Sequence, residues 1–236
     1  MSRRDEIEAG LAKVRRRIDG ACDDAGRDRD DVHLVVVTKT FPADDVRILA
    51  ELGVRDVGEN RHQEAADKHA QCADLPLTWH FVGALQTNKA NAVADYADVV
   101  HSVDRMRLVR ALGKATERTG RELTCLLQVS LDEGDAHGVI GKRSGADADD
   151  ITGLADALEA HELLRLGGVM GVAPLDGEPE PAFARLAEIG AALRVDHPGA
   201  TMVSAGMSGD LEAAVRHGAT HVRVGSAVLG ERPSLG

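Results

Sequence analysis

The sequence predicts a single α/β domain, a (β/α)8 TIM barrel with one additional helix ahead of it. Short segments rich in Val, Leu and Ile alternate eight times with segments of helical spacing, and this alternation is typical of folds built on a parallel sheet. No linker or change of composition divides the 236 residues, so one domain over residues 1–236 is expected. Aromatic residues are only 2% of the chain. Aliphatic side chains must therefore fill the core, as they do in α/β barrels.

The additional helix is predicted over residues 1–25, and Gly26 marks its end. Its apolar residues recur at helical spacing: Ile7, Leu11, Val14 and Ile18. This apolar side is expected to pack on the outside of the barrel. The alternative is that Val14 and Ile18 contact a second copy of the chain, so the expected state is a monomer or a weak dimer.

Eight predicted strands follow, each a short apolar or β-branched run. They cover residues 33–39, 54–58, 79–83, 98–103, 122–131, 167–174, 201–206 and 221–225. Helical segments are predicted between them. These cover residues 44–52, 61–69, 90–96, 104–119, 149–161, 180–195 and 210–217. The polar, glycine-rich stretch 132–145 is predicted to be a long loop at the exit of the fifth strand.

The composition excludes several partners and compartments. The chain has 28 basic and 39 acidic residues and a net charge of −11, which opposes nucleic acid or an anionic membrane surface as the main partner. No segment is apolar over the length of a membrane span, and the polar N-terminus does not resemble a secretory signal. The three cysteines are far apart and odd in number, so a reducing, cytoplasmic setting is expected.

Lys39 stands at the end of the first predicted strand. Active sites of α/β barrels lie at the C-terminal ends of the strands, so Lys39 is expected at the mouth of the barrel. A lysine that leaves the core there is partly desolvated, which favours the neutral amine and makes it a nucleophile towards a carbonyl. The alternative is a lysine that ends a strand and pairs with a carboxylate.

Two glycine-containing loops follow the seventh and eighth predicted strands. The first covers residues 204–210, and the second is Gly225-Ser226-Ala227. Glycines let the backbone approach a ligand closely, and the N–H groups at the start of a helix attract anions. Because barrels recurrently bind phosphate with these two loops, a phosphate cup is predicted. The alternative for either loop alone is a simple turn.

A nucleophilic lysine and a phosphate cup at one barrel mouth suit an aldehyde that carries a phosphate. Pyridoxal 5′-phosphate (PLP) is the commonest cofactor of this kind, and it would form a Schiff base with Lys39. Arg223 lies two residues before Gly225 and is expected to point to the same side of the strand, where it would donate to the pyridine nitrogen. The alternative for Arg223 is an ion pair inside the barrel. The alternative for the site is a class I aldolase, which needs the same lysine and cup.

Six segments, spread over nearly the whole chain, resemble the pyridoxal phosphate homeostasis proteins, which are single-domain relatives of the alanine racemase N-terminal barrel. The most specific segment is the string His80-Phe-Val-Gly-Ala-Leu-Gln-Thr-Asn-Lys89. The others are Val37-Thr-Lys39-Thr, Gly58-Glu-Asn60-Arg with Gln63-Glu64, Gly168-Val-Met170, Ser204-Ala-Gly-Met207-Ser208-Gly-Asp210 and Val222-Arg223-Val-Gly225-Ser226. The resemblance implies a barrel of the fold-type III kind found in PLP enzymes.

The resemblance also implies that Lys39 is the lysine that carries the cofactor and the catalytic residue. The full set of expected cofactor-binding residues is Lys39, Asn60, Met170, Ser204, Met207, Ser208, Gly209, Arg223, Gly225 and Ser226. The chain departs from the family pattern at Ser130 and at residues 134–138, where a loop with a lysine is usual. It departs again at residues 228–230, where a Phe usually precedes the glycine.

The function implied by the resemblance is control of the pool of free PLP, without fast catalysis. The expected partners are PLP itself, free amino acids and PLP-dependent apoenzymes. A PLP-dependent amino-acid racemase is the alternative. Such racemases take a tyrosine from a second domain, and the one tyrosine here, Tyr96, is expected at the opposite end of the barrel from Lys39. His137 in the long loop is the other candidate for a second acid.

Two further classes of site are not expected. The ten histidines show neither H-x-x-x-H nor H-E-x-x-H spacing, so no metal site is predicted. Ser204 and Ser208 are not in a G-x-S-x-G setting, which opposes a serine hydrolase.

Overall fold

The computed structural model of the chain is a closed barrel of eight parallel strands, in which each strand pairs with its sequence neighbours and β8 pairs with β1. It describes residues 2–131, 145–174 and 177–230. The strands are β1 (His33–Val37), β2 (Asp56–Glu59), β3 (Thr78–Phe81), β4 (Val99–Val103), β5 (Leu123–Gln128), β6 (Leu164–Met170), β7 (Met202–Ser204) and β8 (His221–Val224). The predicted (β/α)8 barrel is confirmed.

Nine α-helices accompany the strands in the described part of the chain. They are α1 (Arg3–Ala25), α2 (Ala43–Glu51), α3 (His62–Gln71), α4 (Ala90–Ala94), α5 (Met106–Thr119), α6 (Ile151–Glu159), α7 (Pro179–Asp196), α8 (Leu211–Arg216) and α9 (Ser226–Leu229). No helix among the described residues has the length and hydropathy to cross a membrane.

One sequence prediction was wrong at the edges of its element. The sixth strand was predicted over 167–174, but β6 covers Leu164–Met170 because its pairing with β5 begins at Leu164 and ends at Met170. The helix predicted after Lys89 is α4, which follows a 3-10 turn over Thr87–Lys89. Residues 132–144 of the predicted long loop, His137 among them, lie outside the described residues.

The interior of the barrel is more polar than the aliphatic composition suggests. His80, His101, Ser204 and Arg223 are all buried, and they come from β3, β4, β7 and β8. His101 and Ser204 are hydrogen-bonded at 3.0 Å although β4 and β7 are not neighbouring strands. Their contact must therefore cross the inside of the barrel, where Val99, Leu126 and Met170 form a separate small apolar cluster.

The N-terminal helix α1 packs on the barrel against α8 and α9. Ile7, Leu11, Val14 and Ile18 are at most 2% exposed, so the apolar side that the sequence predicted is covered by the protein's own chain. The approach is closest at Gly10, where a Cβ would lie 2.3 Å from the carbonyl oxygen of Val228 in α9. No side chain fits there without moving the helix.

Two glycines of α1 are expected to respond oppositely to replacement by alanine. Gly10→Ala should lower the thermal midpoint because its methyl group meets the α9 backbone. Gly20→Ala should leave the midpoint unchanged or raise it, because a Cβ there meets no atom within 4 Å and alanine is the better helix former by about 1 kcal/mol. Thermal unfolding of both variants by circular dichroism measures the difference. Equal midpoints for the two variants would contradict the close packing of α1 on α9.

Candidate functional site

A cleft of about 240 Å³ opens at the C-terminal end of the barrel. Its lining residues are Val37, Lys39, Phe41, Met207, Ser208, Gly209, Arg223, Gly225 and Ser226. These come from the ends of β1, β7 and β8, which are brought together because β8 pairs with both β1 and β7. We call this space the Lys39 cleft. Most of the residues predicted from the sequence therefore meet in one place.

Lys39 is half-buried in the turn that follows β1. This turn is strained, because Thr40 has a φ of 69°, a left-handed conformation that β-branched residues rarely adopt. Such a conformation costs on the order of 1–3 kcal/mol and persists only where surrounding contacts hold it. The contacts around residues 38–40 are therefore part of the site.

A buried lysine, Lys68 of α3, and the two carboxylates that it contacts supply these contacts. Its Nζ donates to the carbonyl of Thr38 at 2.8 Å and to Oε1 of Glu59 at 2.5 Å. It also contacts Oε1 of Glu64 at 3.0 Å, and the same Glu64 oxygen accepts the N–H of Thr40. The hydroxyl of Thr38 donates to Glu59 at 2.5 Å. We call Glu59, Glu64 and Lys68 the Lys68 cluster.

Two members of the Lys68 cluster, Glu59 and Lys68, are nearly closed to water, whereas Glu64 is partly exposed. The side chains of Glu59 and Lys68 are 1% and 4% exposed. Burial raises the pKa of Glu59, and the charge of Lys68 opposes this rise only in part. Because the loss of one partner leaves a buried charge unpaired, the pair is much more costly to break than to keep. The turn that carries Lys39 is thus tied to a cluster that cannot relax into solvent.

The loop after β7 is shaped by one glycine and fixed by a residue of α1. Gly206 has a φ of 86°, and a Cβ there would lie 2.6 Å from the Cβ of Ala214, so the loop requires glycine at this point. Arg17 donates to the carbonyl of Ser208 at 2.9 Å and pairs with Glu212 at 2.6 Å. The additional N-terminal helix therefore holds the loop that lines the cleft.

Both loops present hydrogen-bond donors to the cleft. Ser208 and Ser226 each contribute a hydroxyl, and α9 begins at Ser226. The first N–H groups of a helix have no acceptor within the helix. In the other loop, Asp210 accepts the N–H of Met207 at 2.6 Å, which closes the turn around Ser208. The donor set suits an anion with several oxygen atoms, such as a phosphate.

Arg223 forms the buried floor of the Lys39 cleft. It donates from Nη1 to the hydroxyl oxygen of Ser204 at 2.6 Å and from Nη2 to the carbonyl of Gly171 at 3.0 Å. Burial lowers its pKa to about 10, with Asp210 opposing the shift. The side chain is therefore a positively charged donor at neutral pH.

Three predicted site residues do not line the cleft. Ser204 lies beneath it, bonded to Arg223. Met170 is buried with Val99 in the apolar interior cluster. Asn60 follows β2, and its buried Oδ1 has no hydrogen-bond partner among the described residues.

Sequence reasoning gave no role to Lys68 or to Arg17. Glu64 and Lys68 are one helical turn apart on α3, and an i,i+4 pair of opposite charge is a recognisable pattern. The pattern predicts an exposed pair, however, and it does not indicate that Lys68 is buried beneath the turn of Lys39. Arg17 gave no signal, because its contact with Ser208 joins two segments 191 residues apart.

Two larger clefts lie elsewhere in the described part of the chain. One, of about 360 Å³, is at the N-terminal end of the barrel beside His33 and Asp56. The other, of about 340 Å³, is lined by residues such as Met106 and Gly153. Neither is lined by a lysine, so the smaller Lys39 cleft has the chemistry that the others lack.

Comparison with known proteins agrees with this geometry. The family model for the alanine racemase N-terminal domain matches residues 11–233. A pyridoxal phosphate homeostasis protein of Mycobacterium tuberculosis is 42% identical over 247 residues, which cover 98% of this chain and 94% of that protein. A protein of the same name from Pseudomonas aeruginosa is 42% identical over 235 residues, which cover 96% of each chain.

A solved structure is similar over nearly its whole length. PipY of Synechococcus elongatus, determined with PLP bound, superposes with a TM-score of 0.80 at 33% sequence identity. The superposition covers 95% of this chain and 100% of PipY.

Replacement of Lys68 by methionine is expected to destabilise the protein by about 3 kcal/mol or more, because it leaves Glu59 as an unpaired buried carboxylate. The loss should be greater at pH 8 than at pH 5. Without Lys68 the pKa of Glu59 rises further above its unfolded value, so the penalty grows as pH increases and disappears once the carboxyl is protonated. Urea unfolding at the two pH values measures this effect.

Two variants serve as controls for Lys68→Met. Lys13→Met removes an exposed lysine and should leave the unfolding free energy within about 0.5 kcal/mol of wild type. Adding Glu59→Gln to Lys68→Met should restore part of the lost stability and abolish its pH dependence. A Lys68→Met variant that is as stable as Lys13→Met would rule out the Lys68 cluster as the support of the turn.

Proposed function

The chain belongs to the alanine racemase N-terminal domain family and, within it, to the pyridoxal phosphate homeostasis proteins, and on this premise we propose that it binds PLP on Lys39 and takes part in intracellular PLP homeostasis. One observation carries the proposal: the amine of Lys39 shares a single cleft with two loops rich in serine and glycine. The PLP bound to PipY and the names of the relatives support it.

The residues around the Lys39 cleft suit this cofactor. When bound, PLP supplies an aldehyde that condenses with a lysine amine to form a Schiff base. We assign the amine to Lys39 and the phosphate to Ser208 and Ser226, whose hydroxyls are donors. A Cβ at Gly209 would meet no atom within 4 Å, so the backbone there is open to a ligand.

We assign the remaining residues by what they contact. Met207 and Gly225 form the walls of the cleft, and Ser204 acts through the Arg223 side chain that it holds. Asn60 offers a buried acceptor that has no partner in the described chain. Met170 contributes to the apolar layer beneath the cleft.

Arg223 is the reason to propose cofactor handling rather than fast catalysis. We assign it to the pyridine nitrogen, where a charged donor leaves that nitrogen without a proton of its own. The ring then withdraws electrons weakly. Among the described residues that line the cleft, the titratable side chains are Lys39 and Arg223, and a pKa of about 10 keeps Arg223 protonated at neutral pH. A second acid or base for proton transfer would have to come from elsewhere.

Two other functions use the same features. An amino-acid racemase is favoured by the family description, and a class I aldolase would also need a lysine beside a phosphate cup. Both require turnover of an added substrate, whereas PLP homeostasis requires only that the cofactor bind and leave. Turnover therefore separates the three functions.

We further propose that the protein is a single domain over residues 1–236 and acts in the cytoplasm as a monomer or weak dimer. Its proposed partners are free amino acids and PLP-dependent apoenzymes. Cys22, Cys72 and Cys125 are free and buried, and burial raises the pKa of each thiol, to about 12 for Cys125. Such thiols are unreactive, which suits a reducing compartment.

Lys39→Ala is expected to abolish covalent retention of PLP. Wild-type protein loaded with PLP and reduced with borohydride should carry one pyridoxyl group on Lys39, detected by mass spectrometry of the peptide. Lys114→Ala, which removes an exposed lysine of α5, should label like wild type. A pyridoxyl group retained at full occupancy by Lys39→Ala would assign the cofactor to another lysine.

Incubation of the PLP-loaded protein with L- and D-amino acids should give no racemisation at an ordinary enzymatic rate of about 1 s⁻¹ or faster. In the same experiment, a PLP-dependent apoenzyme should regain activity as the cofactor is transferred to it. Chiral chromatography follows the first reaction and the apoenzyme assay the second. Rapid racemisation would establish a racemase, and cleavage of an added sugar phosphate would establish an aldolase.

A further inference from the structure

A continuous chain of buried hydrogen bonds crosses the inside of the barrel from its N-terminal end to the Lys39 cleft. Asp56, at the start of β2, contacts Nε2 of His80 at 3.0 Å. Nδ1 of His80 contacts Nε2 of His101 at 2.8 Å, and Nδ1 of His101 contacts the hydroxyl of Ser204 at 3.0 Å. Ser204 accepts from Arg223 at 2.6 Å. We call these five residues the interior chain.

The residues at the two ends of the interior chain restrict which groups along it donate hydrogen bonds and which accept them. Arg223 has only donors, so the oxygen of Ser204 must accept from it. Burial opposes ionisation of Asp56, but its hydrogen bond to His80 lowers its pKa overall. The carboxylate therefore only accepts, and His80 must carry a proton on Nε2.

One arrangement of protons satisfies every contact when both rings are neutral. A neutral His80 protonated on Nε2 presents a bare Nδ1, which accepts from Nε2–H of His101. His101 then presents a bare Nδ1, which accepts the O–H of Ser204. In the reverse arrangement, with both rings neutral, His80 carries its proton on Nδ1 and presents a bare Nε2 to the carboxylate of Asp56, so two acceptors face each other at 3.0 Å.

The burial of both rings favours the neutral arrangement, because it disfavours a charged imidazolium. Burial, with the charge of Arg223 acting in the same direction, holds the pKa of His101 well below its ordinary value. His80 faces Asp56 on β2, His101 on β4 and the ring of His221 on β8, whose centroid is 6.3 Å away. No group of three or more metal-ligating side chains in the described chain is placed to bind a metal, so the histidines act as hydrogen-bonding groups.

We propose that His80 and His101 are positioning residues: the interior chain, directed from Arg223 towards Asp56, fixes the hydroxyl of Ser204 so that its oxygen holds Arg223 in place beneath the cofactor. The proposal rests on the proposed function, because bound PLP is the ligand that Arg223 would contact. It adds that a carboxylate at the far end of the barrel influences cofactor binding. The path from Asp56 to the cleft consists of side chains alone.

The hydrogen-bond direction is measurable without the cofactor. In ¹⁵N-labelled apoprotein at neutral pH, the ring-nitrogen shifts of His80 and His101 should show both rings protonated on Nε2 and bare on Nδ1. Variants of each histidine assign the signals. His101 protonated on Nδ1 in the wild type would overturn the proposal, and this outcome does not depend on whether PLP binds.

Asp56→Asn tests the link to the cleft, because an amide can donate as well as accept and no longer fixes the direction. The variant should show mixed tautomers at His101 and weaken PLP affinity about fivefold, the value of one ordinary hydrogen bond. Asp30→Asn is the matched control, since Asp30 lines the same N-terminal cleft outside the interior chain. It should change neither the tautomers nor the affinity.

The outcomes separate this proposal from the proposed function. Wild-type tautomers and affinity in Asp56→Asn would overturn the interior chain while leaving PLP binding intact. Failure of the wild type to bind PLP would overturn the proposed function, and the tautomers of the apoprotein would still decide the direction of the chain. If Asp56→Asn does not fold, the wild-type spectrum alone carries the test.

Discussion

The site depends on the closure of the barrel between its first and last strands. β1 pairs with β8 in parallel, with Val35 opposite Arg223 and Val36 opposite Val224. Lys39 is thereby brought beside residues from the other end of the chain. A Cβ at Gly225 would lie 3.0 Å from the carbonyl oxygen of Val37, so the ends of the two strands are in close contact. A change that opened this seam would separate the amine from the phosphate loops.

Closure alone would not fix the direction of Lys39, and the Lys68 cluster does so at a cost in stability. Buried ion pairs add little to folding because desolvation offsets their attraction, and the left-handed Thr40 is itself unfavourable. In return, the cluster fixes the conformation of the turn, because it bonds to the carbonyl and hydroxyl groups of Thr38 and to the N–H of Thr40. A nucleophilic amine benefits from this, because a side chain that starts from a fixed turn loses less entropy when it bonds to a ligand.

Sequence reasoning succeeded where the signal is local. Alternating apolar segments predicted the eight strands, and glycines beside serines predicted the loops that line the cleft with Lys39. It failed where the partner lies far along the chain. The environment of Lys68 depends on how α3 packs against β2. The contact between Arg17 and Ser208 joins α1 to the loop after β7. The polar interior requires the barrel to be closed before His101 can contact Ser204. The spacing of the histidines gave no sign of these contacts.

The hydrogen bonds inside the barrel explain why a chain with a mostly aliphatic core has histidines in its interior. Buried polar groups are costly unless each has a partner, and an apolar filling would suit a barrel better if stability were the only requirement. Arg223 makes a purely apolar interior unfavourable, because a buried guanidinium at the floor of the cleft must have acceptors. Gly171 supplies one from the backbone and Ser204 the other. A serine hydroxyl also carries a proton that needs an acceptor, so His101, His80 and finally Asp56 follow until the chain reaches a partly exposed carboxylate. The polar residues of the interior are thus required because Arg223, the charged residue at the floor of the cleft, needs an acceptor.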